Sequence, residues 1–322
     1  MFGLVEITPW HWAGFMFCVV IFIALDLGWF HRGPHVIRFR EALTWSAVWF
    51  TLAMGFAGLM LYWRGHEEAT QFITGYLIEL SLSLDNLLVI ALIFATFRVP
   101  AEFQYRVLVW GILGALVMRG AMIIGGAALI QRFEWVLYLF GAFLVFTGIK
   151  MLFAGKETVE PEKNPVVRLA HKLFPVTPTF VGNQFLARLD GKRALTPLAL
   201  VLLVIETTDL LFAVDSVPAV FSVTRKAFIV FTSNMFAILG LRSLYFLLAG
   251  ALGLFRYLKI GLSIVLVFIG AKMLIDPHEG TARWFQYDIS TGVSLLVVAA
   301  IISISMALSV AAAWHEQKVN CR

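Results

Sequence analysis

Charge is scarce in this chain. Asp, Glu, Lys and Arg make up 14% of its 322 residues, against about 25% in a soluble globular domain. Hydrophobic residues make up 60%, and mean hydropathy is +0.87. A water-soluble domain and a disordered chain are both excluded, which leaves a polytopic membrane protein. Cysteine is almost as rare. Cys18 falls in an apolar run and Cys321 at the very end, so no disulfide framework, CxxC motif or cysteine-based metal site can be drawn. Histidine is missing from the apolar interior: His11, His31, His35, His66, His171, His278 and His315 fall in connections or near the ends of apolar runs. There is no Gly-x4-Gly-Lys-Ser/Thr motif, so nothing points to a nucleotide-driven pump. Met1 to Ala13 contain Glu6 and no Lys or Arg, which argues against a cleavable signal peptide and for a retained first helix.

What is there is a series of apolar runs near 20 residues long. They predict about nine transmembrane helices, near 10–30, 42–62, 73–96, 106–130, 133–153, 196–221, 227–250, 256–275 and 289–313. The pI near 9.3 could suggest nucleic acid, but the basic residues are not pooled into one patch. Sixteen lie in alternate connections: Arg32, Arg38, Arg40, Arg98, Arg106, Lys156, Lys163, Arg168, Lys172, Arg188, Lys192, Arg193, Arg256, Lys259, Lys318 and Arg322. The opposite connections hold only Arg64, Arg132, Arg225, Lys226 and Arg283. The basic side is expected to be cytoplasmic, with the N-terminus outside and the C-terminus inside, and no nucleic-acid partner is expected.

Two acidic clusters interrupt this apolar pattern, and they match. Glu79-Leu-Ser-Leu-Ser-Leu-Asp85-Asn86 and Asp209-Leu-Leu-Phe-Ala-Val-Asp215-Ser216 both read acid, five residues, Asp, then a small polar residue. Glu206 adds a third acid to the second cluster. An ionised carboxylate in hydrocarbon costs at least ~2.5 kcal/mol, so such residues are usually functional. The segments around them also match. Leu144-Val-Phe-Thr-Gly-Ile-Lys-Met-Leu152 resembles Leu266-Val-Phe-Ile-Gly-Ala-Lys-Met-Leu274, and Arg119 has a counterpart in Arg242. Three helices per unit invert the second copy relative to the first. The expected architecture is an all-α membrane protein with two inverted three-helix repeats, spans 3–5 and 6–8. The divisions are 1–72 with two peripheral helices, 73–153 as the first repeat, and 154–195 as a cytoplasmic linker with Pro161, Pro165, Pro175 and Pro178. Residues 196–276 form the second repeat, and 277–322 the ninth helix and tail. The linker reads first as a solubilising connection, with anionic lipid headgroups as a second possible contact.

Residues six apart lie about 120° from each other on a helix, so Glu79 and Asp85 do not share a face, nor do Asp209 and Asp215. Either each acid faces a different neighbour or the helices unwind, and Pro218 favours distortion in the sixth span. Glu206 and Asp209, three apart, can reach one site together. The ligand chemistry is oxygen-rich: Glu79, Asp85, Glu206, Asp209 and Asp215 as metal ligands, with Asn86 and Ser216 as secondary ones. Carboxylates and carbonyls suit Mg²⁺, Ca²⁺ or Mn²⁺, whereas zinc and copper sites favour His and Cys. Close carboxylates cannot all stay ionised without a cation, which gives a basis for metal–proton exchange. The competing structural reading pairs the acids with Arg119, Arg242, Lys150 or Lys272. In the functional reading Arg119 and Arg242 are charge partners or gate elements, while Lys150 and Lys272 snorkel at helix ends. Gly125-Gly126 marks a close helix approach.

The two acidic motifs, the second running Glu206-x-x-Asp209-x5-Asp215-Ser216-Val217-Pro218, together with Thr232-Ser-Asn-Met-Phe-Ala-Ile-Leu-Gly-Leu-Arg242, resemble the TerC family over nearly the whole chain. The resemblance implies a multi-pass protein of the bacterial inner membrane that exports Mn²⁺, linked to alkaline pH or tellurite resistance. It also implies that Glu79, Asp85, Glu206, Asp209 and Asp215 are needed for transport. Without it, the residues do not separate Mn²⁺ from Ca²⁺. The expected partners are Mn²⁺ as transported substrate, protons and membrane lipid, with no permanently bound cofactor and no enzymatic activity. Two rival readings remain: proton or Na⁺ handling for pH homeostasis, and a non-transporting scaffold that recruits partners through the linker.

Overall fold

A computed structural model describes residues 7–30, 39–153, 165–189, 191–249, 257–276 and 289–320. The start of the 154–195 linker, Cys321, and Arg32, Arg38, Lys156, Lys163, Arg256, Arg283 and Arg322 lie outside the described residues, as do His31, His35 and His278.

The described chain is helical apart from one hairpin. In order it forms α1 (Pro9–Phe30), α2 (Phe39–Arg64), α3 (His66–Thr96), α4 (Ala101–Arg132), α5 (Val136–Phe153), α6 (Pro165–Leu173), β1 (Leu186–Leu189), β2 (Lys192–Leu195), α7 (Pro197–Phe221), α8 (Ala227–Leu239), α9 (Leu241–Ala249), α10 (Leu258–Ile275) and α11 (Thr291–Asn320). Seven helices are individually long and apolar enough to cross a membrane: α2, α3, α4, α5, α7, α10 and α11. α8 and α9 meet that test only together and are bent by 42°. The apolar stretch of α1, Pro9–Leu25, is shorter. Each of the nine expected spans thus meets helix, but in seven single helices, one broken pair and one shorter segment.

Local chemistry sets the boundaries. Gly65, at φ 87°, makes the turn between α2 and α3 without a linker, a conformation that a side chain would strain. Pro100 stands immediately before α4 and Pro197 at the first position of α7, where a missing N–H costs nothing. The Thr196 hydroxyl accepts from Ala199 N and caps α7.

Ion pairs and polar contacts define two faces. On one, Glu68 at the start of α3 pairs with Arg64 at the end of α2 and with Lys226 before α8. Glu134, between α4 and α5, pairs with Arg225 on the same α7–α8 turn. On the other, Tyr245 of α9 donates to Gln104 near the start of α4 at 2.9 Å. The α8–α9 pair therefore begins at one face and reaches the other. The linker segment lies on this second face, where Phe180 packs on Phe103, and Phe185 on Trp110 and Arg106. It is more than a simple connection: α6 and an antiparallel hairpin in register Leu186 with Leu195 fold against the bundle.

α3 is the central helix, packing on α2, α7, α8, α9 and α11. It buries an unusual polar row of Thr74, Glu79, Ser81, Ser83, Asp85 and Asn86. α5 and α10 form the tightest helix pair. A Cβ at Gly270 would lie 2.6 Å from Gly141 O and 2.7 Å from Val145 N; one at Gly148 would lie 2.9 Å from Ser263 O and 3.0 Å from Val267 N. In the aligned motifs Gly148 matches Gly270 and Val145 matches Val267, so the contact is reciprocal. Without side chains at these points the backbones can touch.

Three expectations need correction. α7 stays helical through Pro218 to Phe221: the proline removes one ladder bond, to the carbonyl of Val214, and the helix continues past it. The break falls instead at Gly240, between α8 and α9, where Trp49 of α2 packs. Lys272 is 5% exposed and does not snorkel, because α10 lies inside the bundle; Lys150 is exposed. Of the Gly125-Gly126 pair, only Gly126 meets a neighbour, Phe221 of α7, and Gly125 faces open space.

Candidate cation site

Four helices converge on one buried guanidinium. Arg119 of α4 is 1% exposed and forms ion pairs with Glu79 of α3 and Asp209 of α7. Toward Asp209 it presents a fork: Nη2 donates to Oδ1 at 3.0 Å and Nε to Oδ2 at 3.4 Å. Arginine keeps its charge when buried, and its planar fork matches a carboxylate. Two amides complete the cluster. Asn234 Nδ2 of α8 donates to Glu79 Oε2 at 2.8 Å, and Asn86 Nδ2 of α3 donates to Asp209 Oδ1 at 2.6 Å. One cation faces two carboxylates here, so a formal negative charge is left over in a dry interior, and the amide donors offset part of its cost.

The second acid of each motif goes elsewhere. Asp85 and Asp215 both line a cavity of about 30 Å³, together with Ser216, Arg119 and apolar walls that include Leu82 and Phe212. Such a space admits a water-sized body or a largely dehydrated ion. Asp215 also faces the Thr147 hydroxyl and Lys150 of α5. Ser216 Oγ is buried with no hydrogen-bond partner among the described residues.

Glu206 is half-buried and lies against α4 at Gly114. A Cβ there would collide with both of its carboxylate oxygens, so Gly114 supplies the space that Glu206 fills. Asp209, three residues on along α7, is a neighbour of like charge. Arg242 does not copy Arg119. It donates to the Tyr105 hydroxyl at 3.1 Å, stacks over that ring, and lines a second cavity of about 20 Å³ with Asn86 and Asp209. The Arg119–Asp209 pair therefore stands between the two cavities.

The helical-angle puzzle resolves in favour of different neighbours. α3 and α7 are continuous through both motifs, and the 120° offset sends Glu79 and Asp209 to Arg119 but Asp85 and Asp215 to the small cavity. The five acids are divided: among the described residues, no three His, Cys, Asp or Glu side chains come together closely enough to hold a metal. Two contributors were not singled out from sequence, Asn234 and Gly114. The polar run Thr232-Ser233-Asn234 inside an apolar helix was a signal for the first; a lone glycine gives none for the second.

Comparison with known proteins agrees with this picture at the level of family. The model described as "Integral membrane protein TerC family" matches residues 64–313. A Myxococcus xanthus protein, "Uncharacterized membrane protein STKORF319", is 48% identical over 309 residues, covering 96% of this chain and 94% of its own. The protein from Escherichia coli strain K12 described as "Putative membrane-bound redox modulator Alx" is 44% identical over 318 residues, covering 95% of each chain. Its Salmonella typhi counterpart of the same description is 44% identical over 313 residues, covering 94% of each. No solved structure matches.

Proposed function

Since the chain belongs to the TerC family of integral membrane proteins, we propose that it is a secondary transporter exporting Mn²⁺ from the cytoplasm across the bacterial inner membrane, coupled to protons. The observation that carries this reading is the shared cavity: Asp85 and Asp215, from matching motifs in the two halves, face the same small space with Ser216. Carboxylate and hydroxyl oxygens favour a hard divalent cation over zinc or copper. Carboxylates that share one cavity give a basis for exchange, in which metal entry releases a proton and proton entry releases metal. Glu206, Asp209 and Glu79 extend the acidic path on the α4 side.

The reciprocal α5–α10 contact supports an inverted pair of three-helix units, α3–α5 against α7–α10. In that arrangement rocking of one unit against the other exposes the cavity to each side in turn. The basic-residue asymmetry supports a cytoplasmic location for the face that carries the linker and an outer location for the Glu68–Lys226 face.

The test is Mn²⁺ uptake into inside-out vesicles holding the full-length protein under an imposed proton gradient. Gradient-dependent uptake by wild type, lost in Asp85→Asn and Asp215→Asn at equal protein level, is the expected result; equal, low uptake in all three rejects transport. The name of the Alx relatives favours a second reading, redox modulation. A form of it carried by this chain's own thiols needs Cys18 or Cys321, and wild-type phenotype in the Cys18→Ser/Cys321→Ser variant would reject that form.

A further inference from the structure

We propose that the folded part of the linker is a docking surface for anionic phospholipid headgroups: the cross-strand pair Arg188 and Arg193 takes the phosphate charge, and the exposed leucines of α6 enter the bilayer beside it. The inference takes from the reading above only that the linker face is cytoplasmic, and it stands whether or not the protein carries Mn²⁺.

The segment is one-sided in charge. Residues 165–195 carry Arg168, Lys172, Arg188, Lys192 and Arg193 against a single acid, Asp190. The other acids of the linker, Glu157, Glu160 and Glu162, precede the folded part. The hairpin register sets Arg188 directly opposite Arg193, and both are exposed. Residues so paired lie about 5 Å apart at Cβ, and like charges there destabilise a hairpin. No acid among the described residues pairs with Arg188, Lys192 or Arg193. The pair therefore weakens the hairpin on its own, and an anion from outside relieves it. Guanidinium groups suit phosphate oxygens, and two side by side concentrate positive charge on one headgroup.

Apolar side chains flank these charges. On α6, Val167 and Ala170 are buried, while Leu169 and Leu173, four apart on one face, are more than half exposed. Lys172 stands beside them, also exposed. Phe174, just past α6, and Leu186, two residues before Arg188 on the same face of β1, are more than half exposed as well. Leucine and phenylalanine next to lysine and arginine is the composition of a surface that lies in a membrane interface, apolar groups in the acyl boundary and bases among headgroups. The segment is held at that level. Phe180 packs on Phe103, and Phe185 on Arg106 and Trp110, all in the first three turns of α4. Only Thr196 separates β2 from α7. α4 has 32 residues, a length of about 48 Å against a hydrocarbon core of about 30 Å. Its first turns therefore reach the headgroup region, where tryptophan is enriched, and the cytoplasmic leaflet there is anionic.

The full-length protein in nanodiscs tests this. A polarity-sensitive fluorophore is attached at Leu173→Cys in the Cys18→Ser/Cys321→Ser background. Adding phosphatidylglycerol to a phosphatidylcholine bilayer is expected to shift its emission to the blue, and less so at high salt. Arg188→Gln/Arg193→Gln is expected to abolish the shift, and Arg188→Lys/Arg193→Lys to keep most of it. Because the arginine pair is repulsive, Arg188→Gln/Arg193→Gln is expected to keep the original thermal midpoint in phosphatidylcholine. A lower midpoint would mean that the arginines hold the hairpin together, and would overturn the proposal. Equal emission in the two bilayers also overturns it and leaves the basic face to solvent or to a soluble acidic partner. So does a full shift in Arg188→Gln/Arg193→Gln. Asp85→Asn is expected to keep the shift, so failure here and failure of the transport reading are separate results.

Discussion

Arg119 carries the largest electrostatic responsibility of any single side chain described here. It is fully buried and faces Glu79 and Asp209 at once. Its removal leaves two carboxylates facing each other without a cation, and breaking a buried pair from one side costs about 3–5 kcal/mol. Arg119→Ala is therefore expected to lower the thermal midpoint strongly in detergent, and Arg119→Lys less, since an ammonium keeps the charge but loses the fork. Equal stability in wild type and Arg119→Ala would show that the ion pairs are not structural. Gly114 is a quieter case. Gly114→Val would drive a side chain into the space of the Glu206 carboxylate. It is expected to cut Mn²⁺ uptake with little loss of protein level, because Glu206 is half-buried and can move aside. Neither role was fully legible in the sequence. Arg119 was visible as a charge partner but not as the guanidinium shared by both halves, and Gly114 looked like any other helical glycine.

Among the elements, α5 and α10 make the strongest statement. The sequence shows two matching stretches; the structure shows that they touch, and that matching residues touch reciprocally. A side chain at Gly270 would meet backbone atoms of α5 at 2.6 and 2.7 Å, and backbone cannot rotate away. Gly270→Val is expected to destabilise the protein by about 1–3 kcal/mol or more, as overpacking does, and to lower its yield in membranes. Gly125→Val, with open space around it, is expected to be neutral in the same assay. The α8–α9 break teaches the opposite lesson. Proline drew attention to α7, which stays helical past Pro218, whereas Gly240 in mid-span weakens the helix where a neighbour packs.

For the whole molecule, the proposed transport reading asks which contacts between the halves would have to open. The α7–α8 turn is tied to the first half by two ion pairs on one face, Lys226 to Glu68 at 2.8 Å and Arg225 to Glu134 at 3.2 Å. The second pair is exposed and worth about 0.2–1 kcal/mol, weak enough to open in a cycle. If the halves rock against each other, a disulfide across Glu134→Cys and Arg225→Cys is expected to stop Mn²⁺ uptake on oxidation and to restore it on reduction. Uptake that is indifferent to the crosslink would rule out motion at this face.

The sequence by itself determined that this is a helical membrane protein, where its apolar segments lie, and that two acidic motifs of matching spacing interrupt them. Those follow from local chemistry: hydropathy over about 20 residues and repeated spacing. It also narrowed the acids to two geometric alternatives. Only the tertiary structure decided between them, sending Glu79 and Asp209 to Arg119, Asp85 and Asp215 to a shared cavity and Glu206 to Gly114, and only it brought in Asn234 and Gly114. The physical reason is that a helix fixes the angle between its own side chains but not the identity of what meets them. That depends on how α3, α4, α7 and α8 pack across long stretches of chain: the polar run at Thr232-Ser233-Asn234 marks a polar contact without naming its partner, and the glycine at 114 carries no mark at all.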